Sequence, residues 1–394
     1  MLKLLRADLK RTAFFMLALT LLIALSAGFG MFVSLTERAI KDGSAKAADR
    51  FDLLIAAAGS KTQLVLSVVF LDQSALGAIS GERYKEIAND PRTLWAAPLA
   101  FGDYYDGSPV IGTNAVLINA ANSASLTGRV FENAREAVAG AKTGLKIGDR
   151  FTPIHGLIGQ ADARTHKGVS YRVVGSVSFG DAWDRAILVP IESIWSAHGL
   201  GRSFSSRQNL DHDEVFPVSA IVVKPKTIAG AYELRSAYNA NGTQAAFPAE
   251  VLTALYGVLG DISAALEKIA FAARIAAIVV TAIAVTLYIG LKRRHIAALR
   301  AFGANARRVF LVILIGASAL AIAGMALGVA LARAAAWLAA NQIAATQNFE
   351  AIVTFEAQDF APLLTQFAIL LVALSIACAF SFRYCASYYL KDSF

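Results

Sequence analysis

Four of the five histidines, His155, His166, His198 and His212, fall in the middle of the chain, and the last sits within Asp211-His212-Asp213-Glu214. Imidazole and carboxylate together are a donor set for zinc and similar divalent ions. None of the four stands at the spacing of HExxH or of two histidines on one helix face. On spacing alone they read as solvated loop residues, with metal sensing or handling as the alternative. No metal ligand is assigned, and the four remain candidates. Asp181, Asp184 and Arg185 cluster near Trp183, yet no nucleophile and base stand at a recognisable spacing, so no catalytic residue is expected. The sequence contains no GxxxxGK[ST], so hydrolysis of ATP by a P-loop of its own is excluded. Cys378 and Cys385 would lie roughly 10 Å apart along a helix, too far to bridge, and read as small hydrophobes.

The elements that must position these residues are dominated by apolar runs. The 394 residues are 56% hydrophobic and only 17% charged, with a mean hydropathy of +0.52, too little charge to cover a soluble protein of this length. The net charge of +8 does not point to nucleic acid, because the basic residues gather at the ends of apolar runs. Thr12 to Val33 carries no charge and follows Lys3, Arg6, Lys10 and Arg11. That run is long enough to cross the bilayer and too long for a signal-peptide core, so it reads as a retained anchor with its N-terminus inside. Further spans are expected at Ile269–Leu291, Val309–Leu331 and Pro362–Phe382, with Arg274 near the outer end of the second, where it can snorkel.

Loop charges set the expected orientation. Lys292, Arg293, Arg294, Arg300, Arg307 and Arg308 lie between the second and third spans with no acid among them, whereas Arg333, Glu350, Glu356 and Asp359 lie between the third and fourth. The positive-inside rule then puts the basic loop and both termini in the cytoplasm and the large intervening region outside. That region alternates β-rich runs (Asp52–Ile55, Gln63–Val69, Ala115–Asn119, Tyr171–Val177, Ala186–Pro190, Ala220–Lys224) with helical stretches at Gly81–Asn89 and Ala229–Ala240, which predicts an α+β domain without disulfides. Ala97–Gly107, continuing to Thr113, reads as a turn or part of a substrate surface. Helical patterns over Ser34–Arg50 and Ala249–Ala273 predict stalks at both ends.

The segment 291–310 reads LKRRHIAALRAFGANARRVF. Ile296, Leu299 and Phe302 share one helix face, Arg293, Arg294 and Arg300 take the others, Gly303 can end the helix and Asn305 can cap the next. On these residues alone, a basic loop that only sets topology and a docking surface for a cytoplasmic partner are equally good readings. In the third span, Ala317, Ala321, Gly324 and Gly328 form a small-residue strip on one helix face, including one GxxxG. It serves either packing within the four-helix unit or a subunit interface.

The run Arg294-His295-Ile296-Ala297-Ala298-Leu299-Arg300-Ala301-Phe302-Gly303-Ala304, followed by a glycine-punctuated apolar helix, resembles the motif of the FtsX-like, MacB-type permeases of ABC transporters. The order of parts is similar over nearly the whole chain, although His295 stands where the family usually has Glu, and the Glu often found near Gly316 is missing. The resemblance implies an α-helical membrane protein with four transmembrane helices and a large MacB-like α+β periplasmic domain between helices 1 and 2. It also implies a non-catalytic permease subunit of the bacterial inner membrane that dimerises with a second copy. A separate cytoplasmic ABC ATPase, holding the ATP and Mg while this chain binds no cofactor directly, would dock on Arg293, Arg294, His295, Ile296, Leu299, Arg300, Phe302 and Gly303. ATP hydrolysis would then move the outer domain through its stalks to export or extract a periplasmic or membrane substrate. Alternatives are activation of a periplasmic hydrolase, with a periplasmic protein as partner, and zinc handling through the outer histidines. The expected boundaries are 1–33 for the cytoplasmic N-terminus and first helix, 34–268 for the periplasmic domain and stalks, 269–291 for helix 2, 292–308 for the coupling segment, 309–331 for helix 3, 332–361 for a periplasmic loop, 362–382 for helix 4 and 383–394 for a cytoplasmic tail.

Overall fold

The computed structural model describes residues 2–72, 76–120, 125–156, 164–165, 169–200, 216–292, 294, 296, 298, 302–303, 305–347 and 351–391. The chain divides into two compact units, one of residues 1–40, 258–341 and 352–394, the other of residues 41–257 and 342–351.

The first unit is built on four helices long and apolar enough to cross a membrane. They belong to α1 (Leu2–Ala48), α7 (Pro248–Leu291), α8 (Ala306–Gln347) and α9 (Ala361–Lys391). Small residues let these helices approach closely. A Cβ on Gly328 would come 2.5 Å from the backbone oxygen of Ala24, and one on Gly324 would come 3.0 Å from Ile23 and from the oxygen of Thr20. The strip on α8 is therefore seated on α1, with Ala321 buried and Ala317 partly so. Gly30 leaves room for the Arg274 guanidinium, since a Cβ there would lie 2.1 Å from Nη2. One polar lock stands among the described residues before α9. Arg38 donates to both oxygens of Asp359 at 2.9 and 2.6 Å, and the Asp359 carboxylate accepts from the backbone of Glu356 at 2.8 Å. Asp359 is buried, so a charge there needs this partner.

The second unit is a mixed α/β domain. Its strands are β1 (Leu53–Ala57), β2 (Thr93–Tyr105), β3 (Ser108–Thr113), β4 (Ser125–Gly128), β5 (Glu136–Gly140), β6 (Arg150–Phe151), β7 (Ile154–His155), β8 (Arg164–Thr165), β9 (Tyr171–Ser178), β10 (Ile187–Pro190), β11 (Ala220–Pro225) and β12 (Thr243–Ala246). They run in the order β12-β1-β11-β2-β3-β10-β5-β9-β4, with β6 on β9 and the β7–β8 hairpin on β2. The β10–β3 and β5–β9 pairs are parallel and the others antiparallel. β1, β11 and β10 are buried along nearly their whole length, the pattern of strands covered on both faces. Helices α2 (Lys61–Val69), α3 (Gly81–Ala88), α4 (Ala115–Ala120), α5 (Ile191–Ala197) and α6 (Ile228–Tyr238) connect them. Leu53, Ile55, Ile87, Val173, Ile187, Ile221 and Leu234 anchor one continuous apolar core.

Three sequence expectations are corrected here. Gln63–Val69 is helix, not strand: the Ser60 hydroxyl caps it by accepting from the Gln63 amide at 3.3 Å, and Leu64, Val65, Val68 and Val69 then fall on one buried face. Ala115–Asn119 is likewise helical, burying Leu117 and Ile118. Ala97–Gly107 is mostly β2, the longest strand among those described, and only Asp106 and Gly107 make the turn to β3. Both have positive φ, +46° and +77°, as a two-residue hairpin turn of matching twist requires.

Within the second unit the ends of α1 and α7 are tied together. Ser44 Oγ and Tyr256 Oη lie 2.7 Å apart, and Tyr256 also donates to the backbone oxygen of Lys41 at 3.2 Å. Just beyond α1, the Arg50 guanidinium pairs with Asp181 at 2.7 Å and lies over the rings of Phe51, Phe179 and Trp183. Burial lowers the Arg50 pKa against the opposing pull of Asp181 and Asp184. Asp181 also caps the turn holding Trp183, so the Asp181–Trp183–Asp184 cluster is occupied in positioning the chain.

Candidate functional site

Asp103, on β2, stands directly opposite His155, on β7, in antiparallel register. The pairing of β2 with β3 shifts register between Ala100 and Asp103, and such an irregularity re-aims side chains. Gly102, at φ +131°, has no Cβ to crowd His155, whose Cε1 would lie 3.4 Å from it. His198 approaches from the C-terminal cap of α5, where Gly199 at φ +74° ends the helix. His155 Nδ1 is 3.1 Å from Asp103 Oδ1 and 3.1 Å from His198 Nε2, and His198 Nε2 is 3.5 Å from the same Oδ1. The Asp103 side chain is 1% exposed, while those of His155 and His198 are 45% and 29% exposed. These three form a group of metal-ligating type.

Of the four histidine candidates, the structure brings His155 and His198 together, and His166 and His212 lie outside the described residues. Sequence reasoning missed Asp103. It sits 52 positions from His155, and no local spacing rule connects them. The signal available was its place in a long strand, which turn-rich composition concealed.

The basic segment between α7 and α8 is described in part. Ile296 N donates to Lys292 O at 3.0 Å and Phe302 N to Ala298 O at 3.0 Å, both helical contacts. Ile296 is 9% exposed, Arg294 is exposed and the Phe302 ring is 91% exposed. Gly303 has φ +88°, and the Asn305 side chain accepts from the Arg307 amide at 3.0 Å, capping α8. Arg293, His295, Leu299 and Arg300 lie outside the described residues.

Four long apolar helices and a separate mixed α/β domain define a polytopic protein of membrane type. Residues 268–390, under a third of the chain, match the family model described as FtsX-like permease C-terminal. A solved structure described as the extracellular domain of the noncanonic ABC-type transporter YknZ from Gram-positive bacteria is 11% identical, with a TM-score of 0.28, and the alignment covers 49% of this chain and 98% of that one. No curated protein matches the chain.

Proposed function

We propose that the chain is the membrane-spanning subunit of a bacterial inner-membrane ABC transporter. It would work as a homodimer with a separate cytoplasmic ATPase, with residues 41–257 on the periplasmic side. The observation that carries this reading is the FtsX-like match over 268–390, which encloses the basic segment 292–308. Phe302 supports it. Its phenyl ring, 91% exposed at the tip of a turn in a segment whose sequence is rich in Lys and Arg, is the kind of apolar anchor that seats in a partner's pocket. In this reading Arg293, Arg294, His295, Ile296, Leu299, Arg300, Phe302 and Gly303 contact the ATPase, which supplies the ATP and Mg. Its strokes reach the outer domain along α1 and α7, and the substrate is taken from the periplasm or the membrane. The chain itself performs no bond chemistry and binds no nucleic acid.

The test is co-purification of the full chain, extracted from its native membrane, with a cytoplasmic ABC ATPase. Leu299→Asp combined with Phe302→Asp is expected to abolish recovery of the ATPase while leaving membrane insertion intact, because buried charge at an apolar anchor costs several kcal/mol. Undiminished recovery refutes the docking assignment.

A further inference from the structure

We propose that the α/β domain binds one divalent transition-metal ion of zinc's class, held by Asp103 Oδ1, His155 Nδ1 and His198 Nε2. The proposal is independent of ATPase docking, since every ligand lies within residues 41–257.

The distances carry it. In four-coordinate zinc, bonds of about 2.0–2.1 Å set neighbouring ligand atoms about 3.3 Å apart. The three donor atoms here form a triangle with edges of 3.1, 3.1 and 3.5 Å, matching one face of that tetrahedron, and among the described residues no fourth His, Cys, Asp or Glu joins the group. Calcium and magnesium prefer oxygen donors in larger number, and copper(I) prefers sulfur. Two imidazoles and a carboxylate suit zinc and its neighbouring divalent transition metals.

The tautomer of His198 is already set for binding. Its Nδ1 lies 2.9 Å from the backbone oxygen of Ile194, and a carbonyl only accepts, so the neutral ring carries its proton on Nδ1. Its lone pair is then on Nε2, the atom facing the other two. This is the outer hydrogen bond that metal-bound histidines commonly make, and it fixes both the protonation and the ring plane. With both rings neutral and Asp103 as carboxylate, the proton on His155 Nδ1 would bridge to Asp103 or to His198. A metal ion replaces that proton, which is released to solvent.

The anchoring is rigid on one side and open on the other. Asp103 is buried in a strand paired to β3, β7 and β11, whereas both imidazoles reach solvent. An ion can therefore enter and leave without unfolding the domain. Once bound, it would join β2, the β7–β8 hairpin and the end of α5. The role that fits is reversible loading, with the metal either as cargo or as a signal to the domain.

The experiment uses the full chain in detergent, purified without a histidine tag, freed of metal by chelation and titrated with zinc chloride. Bound metal is measured by mass spectrometry after gel filtration. One equivalent per chain is expected. His198→Gln, His155→Gln and Asp103→Asn should each weaken binding by at least about a hundredfold, beyond the roughly 10–100-fold seen when only an outer-shell partner is lost. Cobalt in place of zinc should give the strong visible bands of a four-coordinate site. His155→Gln, the most exposed of the three, guards against loss of fold, and its metal-free thermal midpoint should equal that of the parent. Less than a tenth of an equivalent on the parent chain overturns the site. So does undiminished binding by the three variants, or binding that disappears with His166→Gln and His212→Gln but survives His198→Gln.

Discussion

Asp90 illustrates how one carboxylate can organise a corner of the α/β domain. Its Oδ1 accepts from the backbone and Nε of Arg92 at 3.0 and 2.8 Å, and its Oδ2 from Arg92 Nη2 at 2.6 Å and Tyr238 Oη at 3.0 Å. It thereby ties the turn after α3 to the end of α6. The hydrogen bonds from Arg92 hold its pKa at about 2, below its ordinary 3.8, against a smaller opposing effect of burial. A depressed carboxylate pKa stabilises the fold above the unfolded value and loses that contribution as pH falls through the folded value. Asp90 therefore contributes fully above about pH 4 and progressively less down to about pH 2. Asp90→Asn is expected to cost about 1.5–3 kcal/mol at neutral pH, the worth of a hydrogen bond to a charged group, and to flatten the fall of the thermal midpoint between pH 4 and 2. Thermal unfolding of the full chain in detergent, followed by tryptophan fluorescence across that pH range, checks both. Parallel pH curves for parent and variant would remove Asp90 as the source. Asp90, like Asp103, was not legible in the sequence. Arg92 is close in sequence, but Tyr238 is 148 positions from Asp90, and the arrangement of the sheet, not local periodicity, brings such pairs together. The histidines were visible as residue types, yet nothing in their spacing distinguished His155 and His198 from His166 and His212.

At the scale of elements, glycine position within α8 separates packing from mere flexibility. Gly328 and Gly316 lie on the same helix, but a Cβ on Gly328 meets the Ala24 oxygen at 2.5 Å and one on Gly316 meets nothing within 4 Å. Gly328→Ala should therefore force α1 and α8 apart and destabilise by about 1–3 kcal/mol, as overpacking does. Gly316→Ala should be neutral or gain up to about 1 kcal/mol from helix propensity. Thermal midpoints of the two variants in the same detergent decide it, and equal midpoints would contradict the packing of α8 on α1. Long apolar helices were the most legible part of this chain, because an uncharged run such as Thr12–Val33 has few other stable forms. Short elements were the least legible. In Gln63–Val69 the valines favour a strand, while the Ser60 cap and the burial of Leu64 and Val68 on one face decide for helix. The hairpin at Asp106–Gly107 carried a clear turn signal, but that signal was spread over residues that extend as β2.

At the scale of the molecule, orientation in the bilayer is a matter of charge count rather than of fold. Lys292, Arg293, Arg294, Arg300, Arg307 and Arg308 stand between α7 and α8 without an acid, while Glu350, Glu356 and Asp359 outnumber Arg333 between α8 and α9. Moving the six cations across an energised membrane would oppose the bias that sets topology in bacteria. The α/β domain, joined in sequence to the other end of α7, is then expected in the periplasm, where the metal site proposed at Asp103, His155 and His198 would meet extracytoplasmic ions. Alkaline phosphatase, which matures only outside the cytoplasm, should be active when joined after Gly144, a turn position with open space around it. A fluorescent protein that matures only inside should glow when inserted at Asn305, an exposed site before α8. The reverse pattern at both sites would place the basic segment outside, out of reach of any cytoplasmic ATPase, and would leave the metal site facing the cytoplasm.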